Sequence, residues 1–432
     1  MNRIIAIFIL IFIQLQAIGQ ISFSGNLYSI YIDTPAITTG LSDIYVLHET
    51  DQVSISYTTN NSSVKWYSFS SLGATYANQI TSNITYSGNT STLSLITPNS
   101  GYIIEDGSET IYFWVVDYSD YQLTIEDISV DNSYQECGMT KVDVTASAKT
   151  ITYYTILGES KSLSRDLTIS YNTLEWDSEE LTFNEIETST IEESVSSSYY
   201  LTAPLCNTTF TILGDRFQEY WGEATTIESD TYLTNSVSVM ATATEDGEDI
   251  DISTTTLSGS APFEVNLVSY NSDAVTHNEW QISTTSDFSE IESRFYETEK
   301  LQTFNQAGTF YVKYIGTNSD GTCSSESDIF TISISESSLL VPNAFSPTSS
   351  EGVNDIWKPS YKSIVKYSCW IFNRWGVELF YSNDPSQGWD GTYKGKQVGS
   401  GAYFYVIDAK GADGIEYKLK GDVNIINYKN IY

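Results

Sequence analysis

His48 and His277 are the only imidazoles in 432 residues, so a serine or cysteine nucleophile activated by histidine would have to use one of them. Neither lies near a Gly-x-Ser-x-Gly turn, and no catalytic residue is expected. Paired carboxylates for glycoside hydrolysis arise by chance among 55 acidic residues. The four cysteines, Cys137, Cys206, Cys323 and Cys369, follow no zinc spacing. Cys137 and Cys206 fall in one expected domain and form the candidate disulfide, with buried free thiols as the alternative. Cys369, beside Trp370, reads as a packed thiol, and Cys323, in a polar loop, as the more exposed. Asp246, Glu248, Asp249 and Asp251 surround Gly247 with hard oxygen ligands of the kind calcium takes, but not at calcium-loop spacing. An acidic linker extended by self-repulsion is the favoured reading there, and neither metal nor cofactor is expected.

The residues best suited to chemistry are those of an interface. Asn373, Arg374, Trp375 and Gly376 combine a planar cationic fork with a large apolar ring, the two side-chain types that most often dominate protein contacts. Trp389, Asp390 and Gly391 follow close behind, and all seven are candidate partner-binding residues. A second reading stays open, in which Trp375 and Trp389 fill a small core and Arg374 pairs with Asp390. Tyr220 and Trp221 offer another aromatic pair, either a surface for a glycan or protein ligand or, more commonly for large aromatics, core.

Strands must position these groups. Val53, Ile55 and Tyr57 alternate with Ser54 and Ser56, and Leu167, Ile169 and Tyr171 with Thr168 and Ser170, the period-two signature of half-buried strands. Residues 111–118, "IYFWVVDY", are apolar on both faces, as a strand covered on both sides should be. Asp106 and Gly107 supply a hairpin turn just before it. Helical patterns are scarce, and the chain reads as all-β: tandem immunoglobulin-like β-sandwich domains ending in a small β-sandwich. Expected boundaries are 20–132, 133–244 (a sandwich of uncertain type, with an acidic edge hairpin or loop), 245–338 and 339–432. Residues 1–19 have a basic Arg3, an apolar run and small residues before Gln20, and are expected to be a secretory signal peptide.

Charge is unevenly placed. Lys and Arg number 10 and Asp and Glu 9 in residues 341–432, a net of +1; the other 10 and 46 in residues 1–340 leave −36, giving −35 in all. So acidic a chain, with no basic stripe in its first 340 residues, is not built to bind nucleic acid.

Four motifs stand in order near the end: "VPNAFSPTSSEGVNDIW" (341–357), "IFNRWG" (371–376), "GWDGTYKGK" (388–396) and "SGAYFYVI" (400–407). Together they resemble the gliding-motility-associated C-terminal domain, the type B sorting domain of type IX secretion. The family's Gly-Asp-Gly lacks its Asp here, with Glu351 nearby, while Val353, Asn354 and Asp355 are kept. Residues 253–336, with "GSAPFEV", Trp280 and "GTFYVKY", resemble immunoglobulin-like repeats of the polycystic-kidney-disease type. The first resemblance implies an exported, outer-membrane-associated surface protein whose last domain binds the type IX translocon or an outer-membrane β-barrel partner. The N-terminal modules would then act as stalk or adhesin. The alternatives are a dedicated component of the secretion or gliding machinery and, less favoured, a secreted glycan-active enzyme.

Overall fold

A computed structural model describes residues 20–25, 28–61, 63–107, 109–134, 136–347 and 352–426. The expected signal peptide and Glu351 lie outside the described residues. The protein is nearly all β; among the described residues the one α-helix is Arg216–Trp221. No described helix is long and apolar enough to cross a membrane.

The chain forms a series of packed sheet pairs. In the first, a four-stranded sheet (Gln20–Ser24, Ser54–Thr58, Thr90–Ser94, Ile84–Ser87) covers one face of a six-stranded sheet containing Asp43–Leu47, Glu109–Asp117, Ser100–Asp106 and Val64–Phe69. Strand Glu109–Asp117 alternates between two cores, as its two-faced apolarity predicts. Phe113 and Val115 point into the sandwich with Trp66 and Tyr57. Trp114 and Val116 point the other way, onto Ile151, Tyr153, Leu163 and Phe217, which come from further along the chain. The outer face of the first sandwich is therefore roofed by pieces of the second, and the two share a core. Gly107 (φ +66°) closes the expected hairpin, and Asp106 accepts hydrogen bonds from Tyr57 Oη (2.9 Å) and Thr59 Oγ1 (2.6 Å).

The second sandwich packs Thr124–Val130, Met139–Ser147 and Ser198–Thr202 against Leu167–Asp177, Thr182–Glu192, Phe210–Leu213 and Thr226–Glu228. Its acidic segment is a long hairpin, Leu167–Asp177 paired with Thr182–Glu192, and Trp176 at its tip meets Tyr270 of the third sandwich at 5.1 Å. The third buries Trp280 between strands Ile291–Phe295 and Gly308–Thr317.

Where the first two sandwiches meet, helix Arg216–Trp221 is capped by Asp215, whose Oδ1 accepts from the Gln218 amide (3.1 Å). The same carboxylate, fully buried, pairs with Arg165 and accepts from Tyr118 Oη (3.0 Å). Arg165 also donates to the carbonyls of Tyr121 (2.5 Å) and Lys149 (2.7 Å). Trp221 and Tyr220 are used here: Trp221 Nε1 donates to the Ser29 carbonyl (2.7 Å) and Tyr220 Oη to that of Ile30 (3.2 Å). These aromatics join modules, Trp221 half-buried in the joint and Tyr220 at its exposed edge.

The cysteine expectation is corrected. Cys137 is bonded to Cys323, 186 residues away, and Cys206 is a buried free thiol. Cys323 is itself fully buried, because its loop folds back on Asn318, which accepts from the Cys323 amide (3.0 Å) and donates to the Asn235 carbonyl (3.2 Å). The bond therefore staples the second sandwich to the third. Non-reducing peptide mapping is expected to recover a peptide joining Cys137 to Cys323, with Cys206 and Cys369 alkylated only after denaturation. A Cys137–Cys206 peptide would contradict this pairing.

The joint to the last domain is polar. Ser337 donates to Asp413 through its amide (2.8 Å) and hydroxyl (2.7 Å), and Ser363 Oγ donates to the Ser335 carbonyl (2.6 Å) while accepting from the Ala261 amide (3.1 Å). Burial pushes the Asp413 carboxyl up, but hydrogen bonds from Ser337 and from the Ile415 amide outweigh it and hold the group below the usual carboxylate range. A lowered folded pKa contributes stability above the unfolded value, near 3.8, which is lost as pH falls through the folded value. Hydrogen-exchange protection of the Ser337 amide is thus expected at neutral pH, retained through the ordinary carboxylate range and lost only as pH falls below it, and absent at every pH in Asp413→Ala.

A candidate partner-binding surface on the C-terminal domain

The last domain is a five-stranded sheet in the order Ala344–Phe345, Glu416–Ile425, Gly401–Gly411, Ile364–Phe372, Glu378–Ser382. Its motifs meet in the core. Backbone bonds of 2.9 Å run both ways between Trp357 and Trp389, joining the first motif to the third. Trp357 Nε1 donates to the Pro342 carbonyl (2.7 Å) and Trp389 Nε1 to that of Thr392 (2.9 Å). Phe345 and Tyr403 pack against Trp389 at 5.6 and 5.2 Å, and Tyr405 against Trp357 at 5.4 Å. Gly391 (φ +77°) turns the chain where an added Cβ would come within 3.3 Å of Phe345.

These contacts separate the candidate residues. Trp389 is 1% exposed and Gly391 is buried, so neither presents a side chain to a partner. Asp390 is exposed and accepts from the Thr392 amide (2.9 Å) and hydroxyl (2.7 Å), fixing its own turn. Among the described residues it has no ion pair with Arg374.

Trp375, by contrast, is 79% exposed. It sits in the turn between strands Ile364–Phe372 and Glu378–Ser382. Asn373 Oδ1 accepts from the amides of Trp375 and Val377 (3.0 Å each), and the Gly376 amide donates to the Asn373 carbonyl (3.0 Å). This is an Asx turn, completed by glycine at φ +79° with a register shift in the adjoining strand. Arg374 lies over the Trp375 ring at 5.5 Å. Beside them is a cleft of about 320 Å³ lined by Leu379, Tyr393, Val398 and Tyr403. Burial pushes the Tyr403 hydroxyl up, with the charge of Arg374 opposing it. The arrangement is a rigid turn holding a desolvatable ring and a guanidinium outward, and it has the chemistry of recognition. Among the described residues, no three His, Cys, Asp or Glu side chains converge as a metal would need.

Residues 339–424 match the CHU_C type IX secretion signal domain. The chain therefore ends in a secretion signal domain preceded by immunoglobulin-like sandwiches, one of which, at 129–229, matches the fibronectin type III domain. No curated protein matches the chain. Among solved structures it is similar to the tetra-tandem repeat in the extending region of a large adhesion protein, at 12% identity and TM-score 0.20, covering 88% of this chain and 96% of that one. It is also similar to three N-terminal domains of the Hoc outer capsid protein of bacteriophage RB49, at 11% identity and TM-score 0.23, covering 72% and 100%. A third is a Ca²⁺-stabilised ice-binding adhesin of an Antarctic bacterium, at 10% identity and TM-score 0.20, covering 88% and 95%. Likeness at that level says nothing about what this chain binds.

Sequence reasoning singled out the Asn373–Gly376 turn but not the sheet face beside it. The signal was available: Trp370, Phe372, Phe404 and Val406 are apolar at the alternate positions that the core does not use.

Proposed function

We propose that this protein is a cargo of type IX secretion, carried through the periplasm to the cell surface and associated there with the outer membrane. Its secretion signal domain would bind the translocon or an outer-membrane β-barrel partner. The acidic sandwiches ahead of it would serve outside as a stalk or adhesin, binding a glycan or protein ligand without catalysis and without a cofactor. The match of residues 339–424 to the secretion signal domain carries this reading. The exposed Arg374–Trp375 turn supports it, as does the disulfide that staples the second sandwich to the third, which suits a load-bearing stalk.

Removal of residues 339–432 in the native host tests the proposal. The truncated chain is expected to accumulate in the periplasm, and its appearance on the surface at normal levels would refute it. Deleting the whole protein is expected to leave secretion of other substrates intact, since a cargo is dispensable to the machinery.

A further inference from the structure

The sheet of the secretion signal domain has one face in the core and one in solvent, and the solvent face carries an apolar patch at one end among charged residues. Cross-strand partners share a face, and the register places Tyr381, Trp370 and Val406 in one row and Phe372 and Phe404 in the next. The Trp370 and Tyr381 rings meet at 5.4 Å, tilted by 42°, and Tyr381, Phe404 and Val406 are 49, 45 and 42% exposed. The row of Phe372 leads along the chain into the Asn373–Gly376 turn, which places Trp375 at the end of the sheet beside the cleft of Leu379, Tyr393, Val398 and Tyr403. A contiguous aromatic surface of this kind on a soluble domain marks a contact site.

Its charged surroundings say what covers it. Lys366, Lys410 and Lys420 lie on the same face, and Arg374, Lys394 and Lys396 are exposed on the turns at its end. Among the described residues none of these six cations is in an ion pair; the one pair within the domain joins Lys418 to Glu416. The carboxylates on or beside this face are Asp408, Glu378, Asp422 and Glu416, the last paired with Lys418, and Asp390 is exposed on the loop that carries Lys394 and Lys396; Asp422 accepts from Asn424 Nδ2 (2.9 Å). Six cations without an ion pair against four such carboxylates (Asp408, Glu378, Asp422, Asp390) leave the rim basic, on a chain whose net charge is −35. A second copy would bring its own acidic modules close, which disfavours self-association.

We infer that the outer sheet face (Trp370, Phe372, Tyr381, Phe404, Val406) and the Arg374–Trp375 turn form one docking surface for a protein partner that presents an apolar patch rimmed by carboxylates. This rests on the secretion reading and names the surface that would carry it. Two full-length variants test it in the native host. Phe404→Asp with Val406→Asp puts charge on the face, and Arg374→Glu with Lys394→Glu and Lys396→Glu reverses the rim at exposed positions that the core does not use. Each is expected to lower the surface-exposed fraction about tenfold while the charge-reversal variant keeps the parent melting curve. A photo-crosslinking phenylalanine analogue at Tyr381, but not at exposed Tyr86 in the first sandwich, is expected to form an adduct with a single envelope protein, weakened in the charge-reversal variant. Normal export of the charge-reversal variant, adducts only with a second copy, or no adduct at Tyr381 would overturn the inference. Surface delivery of the chain lacking residues 339–432 would instead overturn the secretion reading itself, so the two failures are distinguishable.

Discussion

Replacing Asp215 with alanine is expected to destabilise the protein by about 3–5 kcal/mol, because it leaves the Arg165 guanidinium buried with no counter-charge. Arg165 and Asp215 side chains are 5% and 0% exposed, so water cannot take the missing partner's place. The loss compounds. Asp215 also caps helix Arg216–Trp221 and accepts from Tyr118, and that helix sends Phe217 into the core shared by the first two sandwiches. Arg165→Ala should cost less than Asp215→Ala. It frees the carbonyls of Tyr121 and Lys149, but Asp215 keeps its bonds from Tyr118 and Gln218. Replacing both by apolar residues of similar volume is expected to recover much of the loss, since no lone buried charge remains. Denaturant unfolding followed by tryptophan fluorescence measures all three, and Asp215→Ala within about 0.5 kcal/mol of the parent would show the pair to be solvated.

The second large effect separates two tryptophans that stand only fourteen positions apart. Trp389→Ala is expected to cost about 3–5 kcal/mol, the range for emptying a buried aromatic site. Phe345 and Tyr403 would lose the ring they pack on, and the bridge to Trp357 would lose its support. In the multidomain chain this should appear as early melting of the C-terminal domain ahead of the main transition. Trp375→Ala should leave the melting curve within about 0.5 kcal/mol, as for other exposed sites, and should lower surface delivery. Calorimetry with surface labelling reads both. A Trp375→Ala protein that melts early would place that ring in the core.

Much of this follows from local pattern. Alternation in strand Glu416–Ile425 puts Tyr417, Leu419, Val423 and Ile425 inward and the lysines outward, and the same rule sets Glu109–Asp117 between two layers. Turn chemistry is equally local, so Asp106-Gly107 and Asn373–Gly376 can be read from a few residues. The residue order also carries the four terminal motifs and the charge contrast between the acidic sandwiches and a near-neutral end.

What lay beyond such reading was set by separation. Cysteine pairing depends on which loops two sandwiches bring together, and Cys137 met Cys323 rather than nearer Cys206 because Asn318 folds the second loop onto the joint. The roofing of the first sandwich by Ile151, Tyr153, Leu163 and Phe217 was likewise invisible, since each looks like an ordinary core residue of its own module. Trp375 and Trp389 are the same residue type in similar Gly-rich turns. Only the packed domain shows that one fills the interior and the other faces water. Periodicity is a property of the backbone's repeat, and so the sequence by itself determined the strands, their inward faces and the secretion motif. Contacts between residues far apart in the chain depend on how finished layers stack, and so tertiary structure alone decided the staple, the shared core and the exposed aromatic face.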